Sequence, residues 1–81
     1  MTAESKTILV DARGLSCPMP LLKARQALML LDRGARVTVL ATDPAAPLDF
    51  ENFCEAGAHD LVESIAVDGI YKITLEKGSG R

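Results

Sequence analysis

The stretch TILVDARGLSCPMP, Thr7 to Pro20, decides how this chain is read. Its first part, Thr7–Asp11, is a short apolar run with β-branched members, which predicts a strand. Arg13-Gly14-Leu15-Ser16 then reads as a turn. From Pro18 to Asp32 the chain carries no glycine and is rich in Leu, Ala, Met, Lys, Arg and Gln. These residues lose little rotamer freedom in a helix, so a long first helix is predicted. Gly34 ends it, and Arg33 falls in the last turn, where a cation suits the dipole.

Working outward, Ala35–Ala41 is a second strand with Val37 and Val39 on one face. Asp43-Pro44 stops it. Pro47–Ala56 predicts a second helix, closed by Gly57, with Phe50, Phe53 and Cys54 on one side at spacings of three and four. Leu61–Val67 is a third strand, Asp68-Gly69 is a hairpin turn, and Ile70–Lys77 is a fourth strand. The order is βαβαββ. Right-handed crossovers place both helices on one face of the sheet. The expected fold is therefore α/β: a two-layer sandwich with a mixed four-stranded sheet and two helices on one face. It occupies residues 7–78, between flexible tails at 1–6 and 79–81.

Composition limits what such a fold can do. The chain has 81 residues, enough for one domain with a small core, and it buries only about 60% of its unfolded surface. It cannot enclose a large substrate within one subunit. Nine basic and eleven acidic side chains leave a net charge of −2, so no positive field exists to grip a phosphate backbone. Direct nucleic-acid binding is not expected, and a sandwich binding RNA would need exposed aromatics that two Phe and one Tyr do not supply. No apolar run approaches bilayer length, so no membrane association is expected. Residues 1–6 lack the apolar stretch of a secretory signal, which makes the cytoplasm the expected compartment and keeps both cysteines reduced.

The chemistry concentrates at Cys17. It lies where the first strand has ended and the first helix begins, the edge of an open α/β sheet at which sites form. Read as the N-cap, Cys17 is followed by Pro18, Met19 and Pro20 in the first turn, where proline's missing N–H costs nothing. The prolines stiffen the platform and leave the Met19 N–H to face the sulfur. That donor, the helix dipole and the cation of Arg13 should together lower the thiol pKa. Ser, Thr, Asp or Asn is the ordinary choice for a cap, so a cysteine here argues for chemistry over structure. No C-x-x-C pair is present, which leaves out dithiol exchange. The one histidine, His59, follows the second helix and so falls at the other end of the domain from Cys17, out of reach as a catalytic base. Cys54 is similarly distant, and two cysteines with one remote histidine make a poor zinc set. No metal or cofactor is expected. A nucleophilic thiol without a base or a pocket suggests a cargo that sulfur itself can hold. The simplest is a sulfane sulfur carried as a persulfide.

These residues resemble the TusA family of small sulfur-carrier proteins, also called SirA-like. The resemblance is carried by Asp11, Gly14-Leu15, Cys17-Pro18-Met19-Pro20, Asp43-Pro44, Asp49, Phe53-Cys54, Gly57, His59 and Tyr71. It implies that Cys17 accepts sulfur from a cysteine desulfurase or a rhodanese. It implies onward transfer to a cysteine of a DsrE-type or other thiol protein. The pathways it opens are 2-thiouridine formation in tRNA, molybdenum-cofactor supply and sulfur oxidation; a selenium carrier is chemically close.

Other residues admit two readings. Leu21, Ala24, Ala27, Leu28 and Leu31 form the core stripe of the first helix. Leu22 and Met29 lie beside it, either packed under the second helix or exposed as a docking patch with Lys23, Arg25 and Gln26. Asp43 either shapes its turn, faces a partner's basic surface or moderates the thiolate. Cys54 reads as a core residue, His59 as a loop residue in water, and Arg36 and Lys72 as solvated positions on the open sheet face. A monomer is expected. The competing function is a non-catalytic regulatory or protein-interaction module, whose binding would survive loss of Cys17.

Overall fold

The computed structural model describes residues 6–57 and 59–78. The tails expected at 1–6 and 79–81 lie outside them, apart from Lys6. Six elements follow in the expected order: β1 (Thr7–Ala12), α1 (Met19–Met29), β2 (Arg36–Ala41), α2 (Ala46–Ala56), β3 (Asp60–Val67) and β4 (Ile70–Glu76). The sheet runs β1-β2-β4-β3, with β1 parallel to β2 and β4 antiparallel to both neighbours. The β2–α2–β3 crossover skips one place, and the Asp68-Gly69 hairpin returns β4 into that gap. Both turn residues have positive φ, 52° and 80°, as the tightest hairpins require.

One face of the sheet carries the core. Ala12, Val37, Val39, Ala41, Ile73 and Leu75 are buried under Ala24 and Leu28 of α1 and Ala46 and Phe50 of α2. Phe50 is wholly buried, and removing one such side chain from water is worth about 1.5–3 kcal/mol. The uncovered face is held by side-chain pairs: Thr38 with Thr74 at 3.0 Å, Arg36 with Glu76 at 3.1 Å, and Lys72 with Glu63 at 3.9 Å. Arg36 and Lys72 thus sit on the open face as expected, but each in an ion pair.

Three local expectations change. Helix α1 stops at Met29, short of Asp32, so Arg33 does not serve its last turn. The ammonium of Lys77, just past β4, donates to the Leu28 carbonyl at 2.7 Å instead. Tertiary contact supplies the cation that local sequence assigned to Arg33. His59 is buried, not in water: its ring stacks on Phe53 at 5.6 Å and its Nδ1 accepts the Gly78 N–H at 3.2 Å. A ring with an apolar face and a polar edge can be buried once its nitrogen has a donor. Cys17 is not the N-cap of α1; Pro18 is.

Candidate functional site

The site forms because β1 and β2 are parallel. Both end at the same edge, and the helix after each strand starts there. The β1–α1 turn and the β2–α2 turn therefore lie side by side. The Gly14 N–H donates to Thr42 Oγ1 at 2.9 Å, joining the two turns. Gly14 has φ +81°, a conformation that side-chain-bearing residues rarely adopt.

Cys17 is exposed on this edge and held at two points. Its backbone N–H donates to Asp43 Oδ2 at 2.6 Å, and its Sγ donates to Asp49 Oδ2 at 2.8 Å. The second oxygen of Asp43 accepts the Ala45 N–H at 3.0 Å. Asp43 thus closes its own turn into α2 while strapping down the β1–α1 turn. Asp49 lies in the first turn of α2, where a carboxylate also suits the helix dipole.

The supporting groups expected around the sulfur stand elsewhere. The Met19 N–H donates to the Ser16 carbonyl at 2.8 Å, closing a turn ahead of the helix, so it is not available to Sγ. That turn moves the helix start to Met19, and the Cys17–Pro18 peptide is cis. The Arg13 guanidinium grips Asp11 by two bonds of 2.8 Å, so its charge is engaged there. The Arg13 hydrogen bonds hold the Asp11 carboxyl down at about 2. The Asp43 carboxyl is also held below its usual range, by the N–H bonds from Ala45 and Cys17. The expected lowering of the Cys17 pKa is therefore reversed. The hydrogen bond to Asp49 pushes the thiol up, helped by desolvation and by the charges of Asp49 and Asp43. In this contact the sulfur is the donor and the Asp49 oxygen the acceptor.

Pro20 is buried and Pro18 is exposed. The flank of α1 resolves toward exposure: Leu22 is 38% exposed, Met29 64% and the neighbouring Leu30 87%, with Lys23, Arg25 and Gln26 also exposed. Cys54 is partly buried against the core, and burial raises its thiol pKa. It borders a shallow groove with Glu51, Glu55, His59, Asp60 and Leu61 at the far end of α2. Both cysteines are free, and no metal-holding cluster occurs among the described residues. No helix among them is long and apolar enough to cross a membrane.

Asp49 is the site residue whose role the sequence reading missed. Its signal was topological. Parallel strands whose helices start at one edge place an acid in the first turn of the second helix beside the start of the first.

Comparison with known proteins finds relatives along nearly the whole chain. The family model described as sulfurtransferase TusA matches residues 8–77. A Neisseria meningitidis serogroup A protein, provisionally named as a sulfur carrier protein, is 42% identical over 67 residues, covering 83% of this chain and 90% of its own. The sulfur carrier protein TusA of Allochromatium vinosum is 35% identical over 68 residues, 84% of this chain and 90% of that one. The crystal structure of a SirA-like protein from Desulfitobacterium hafniense superposes with a TM-score of 0.68 at 28% identity, covering 89% of this chain and 99% of that one.

Proposed function

This chain belongs to the TusA family of sulfur-carrier proteins, and from that premise we propose that Cys17 is the atom-bearing site, holding sulfane sulfur as a persulfide. The observation that carries the reading is the exposed Cys17 sulfur at the edge where both parallel strands end, tethered through its backbone but open to a partner's thiol chemistry.

The transfer needs no external oxidant. The Cys17 thiol gives up its proton to water, and the thiolate attacks the outer sulfur of a donor persulfide. The donor's S–S bond breaks, the donor cysteine leaves as a thiolate, and Cys17 becomes Cys17–S–SH. The sulfane sulfur keeps its oxidation level throughout. The second step repeats the first with roles reversed: an acceptor thiolate attacks the outer sulfur and Cys17 leaves. A cysteine desulfurase or a rhodanese is the donor class that presents such a persulfide. A DsrE-type or other thiol protein is the acceptor class, upstream of tRNA thiolation, molybdenum-cofactor supply or sulfur oxidation. Leu22 and Met29, with Lys23, Arg25 and Gln26, offer these partners an exposed docking surface on the helix that follows Cys17.

The test is intact mass after incubation with cysteine and a cysteine desulfurase, or with thiosulfate and a rhodanese, without reductant. A gain of about 32 Da per sulfur, lost on reduction and mapped to Cys17, is expected. A folded protein whose Cys17 stays unmodified with both donors overturns the proposal and favours a pure interaction module.

A further inference from the structure

We propose that Asp49 is a positioning residue that latches the empty Cys17 thiol and releases the loaded one. The inference rests on Cys17 being the sulfur-bearing site. Its observation is the 2.8 Å contact from Cys17 Sγ to Asp49 Oδ2, made while Asp43 separately holds the Cys17 N–H at 2.6 Å.

The two holds differ in what they require. Asp43 binds the backbone, which is the same in both states of the carrier. Asp49 binds the S–H, which exists only in the empty state. Once the persulfide forms, Sγ is bonded to carbon and to the outer sulfur and has no hydrogen to donate. The outer S–H of a persulfide is more acidic than a thiol, so the loaded group carries negative charge. Two carboxylates then face it, Asp49 from α2 and Asp43 from the β2–α2 turn. Like charges at this range repel. No free cation stands in the β1–α1 turn to compensate, because Arg13 is engaged by Asp11. The loaded side chain therefore turns from Asp49 toward solvent, while the backbone stays pinned. The empty thiol is held protonated until a donor displaces the contact; the loaded one is presented.

The test uses the full chain in a Cys54→Ser background, so that Cys17 alone reports. The pH dependence of iodoacetamide alkylation is measured with and without Asp49→Asn, with circular dichroism to check the fold. The variant's midpoint should fall by about one pH unit. The thiolate fraction at neutral pH then rises roughly tenfold, while intrinsic nucleophilicity falls roughly threefold, for a net gain of about threefold in alkylation rate. A purely structural role for Asp49 would leave the midpoint in place. Coincident profiles in a folded variant overturn the latch.

A second arm reads the loaded state. Inorganic polysulfide loads Cys17 directly: the thiolate attacks the terminal sulfur and the shortened polysulfide anion leaves. The Asp49 side-chain carboxyl ¹³C resonance should move on loading to the position it has in Cys17→Ala, which lacks the donor. A resonance unchanged by verified loading overturns the release half of the proposal. Neither arm uses a protein donor. A chain that shows the Asp49 effect but that no cysteine desulfurase or rhodanese loads would keep the latch and lose the carrier reading.

Discussion

The chain holds two thiols, and both are harder to ionise than a free cysteine, for opposite reasons. Cys54 sits partly buried against the core beside α2's own side chains, and loss of hydration is the main cause. Cys17 is exposed, and its main cause is a single hydrogen bond to Asp49. Burial is a property of the packed interior and persists as long as the fold does. A hydrogen bond at the surface can be exchanged whenever another charge or another bonding state arrives. The molecule thus contains one thiol that is quiet permanently and one that is quiet conditionally, a difference that burial alone would not reveal.

Cys17→Ser tests that comparison most severely. It should abolish sulfur loading as read by intact mass and leave the thermal midpoint nearly unchanged, because an exposed side chain is removed from no packed environment. Collapse of the fold would make Cys17 a structural residue and erase the contrast. Phe50→Ala gives the converse: about 3–5 kcal/mol lost in denaturant titration, with loading preserved wherever the protein is folded. Cys54→Ser should load normally and lose about 1 kcal/mol, since a polar hydroxyl replaces a thiol packed against the core. Loss of loading in a folded Cys54→Ser protein would make it a partner of Cys17 in the chemistry. The smallest effect is on alkaline stability. A folded-state pKa raised above the unfolded value contributes stability below the ordinary thiol range, and that contribution fades as pH rises through the folded value. Stability measured from pH 7 to pH 10 should therefore fall less in Cys17→Ser than in the unchanged chain.

Most of the fold could be read from local signals. Gly57 after α2 and Asp68-Gly69 before β4 each act within a few residues, and each stands where the sequence placed it. The sequence reads the first helix too long: Leu30–Asp32 are compatible with a helix, but Leu30 and Leu31 close tighter turns onto Ala27 and Leu28, and Lys77 from beyond β4 takes the Leu28 carbonyl. At the site, the Cys-Pro-X-Pro spelling draws the reading to Cys17, and the structure reverses the expected electrostatic sign there. The local reading summed a dipole, an N–H and Arg13, all within four residues of the sulfur. The groups that decide the sign, Asp43 and Asp49, lie 26 and 32 residues away. His59 was misplaced likewise, because its stacking partner and its donor Gly78 come from other elements.

Under the proposed function, the strap from Asp43 to the Cys17 N–H sets how far a sulfur on Cys17 can travel within the protein. With the backbone pinned, the sulfur can move only by rotation of one short side chain, a few ångströms at most. Among the described residues there is no swinging arm of the kind that carries an acyl or amino group between distant centres. Under the same proposal the domain, with principal dimensions of 38 × 23 × 18 Å, itself serves as the arm. Delivery distance is then set by diffusion and its accuracy by docking, so the rate of sulfur flow depends on how many copies of the carrier are free to move.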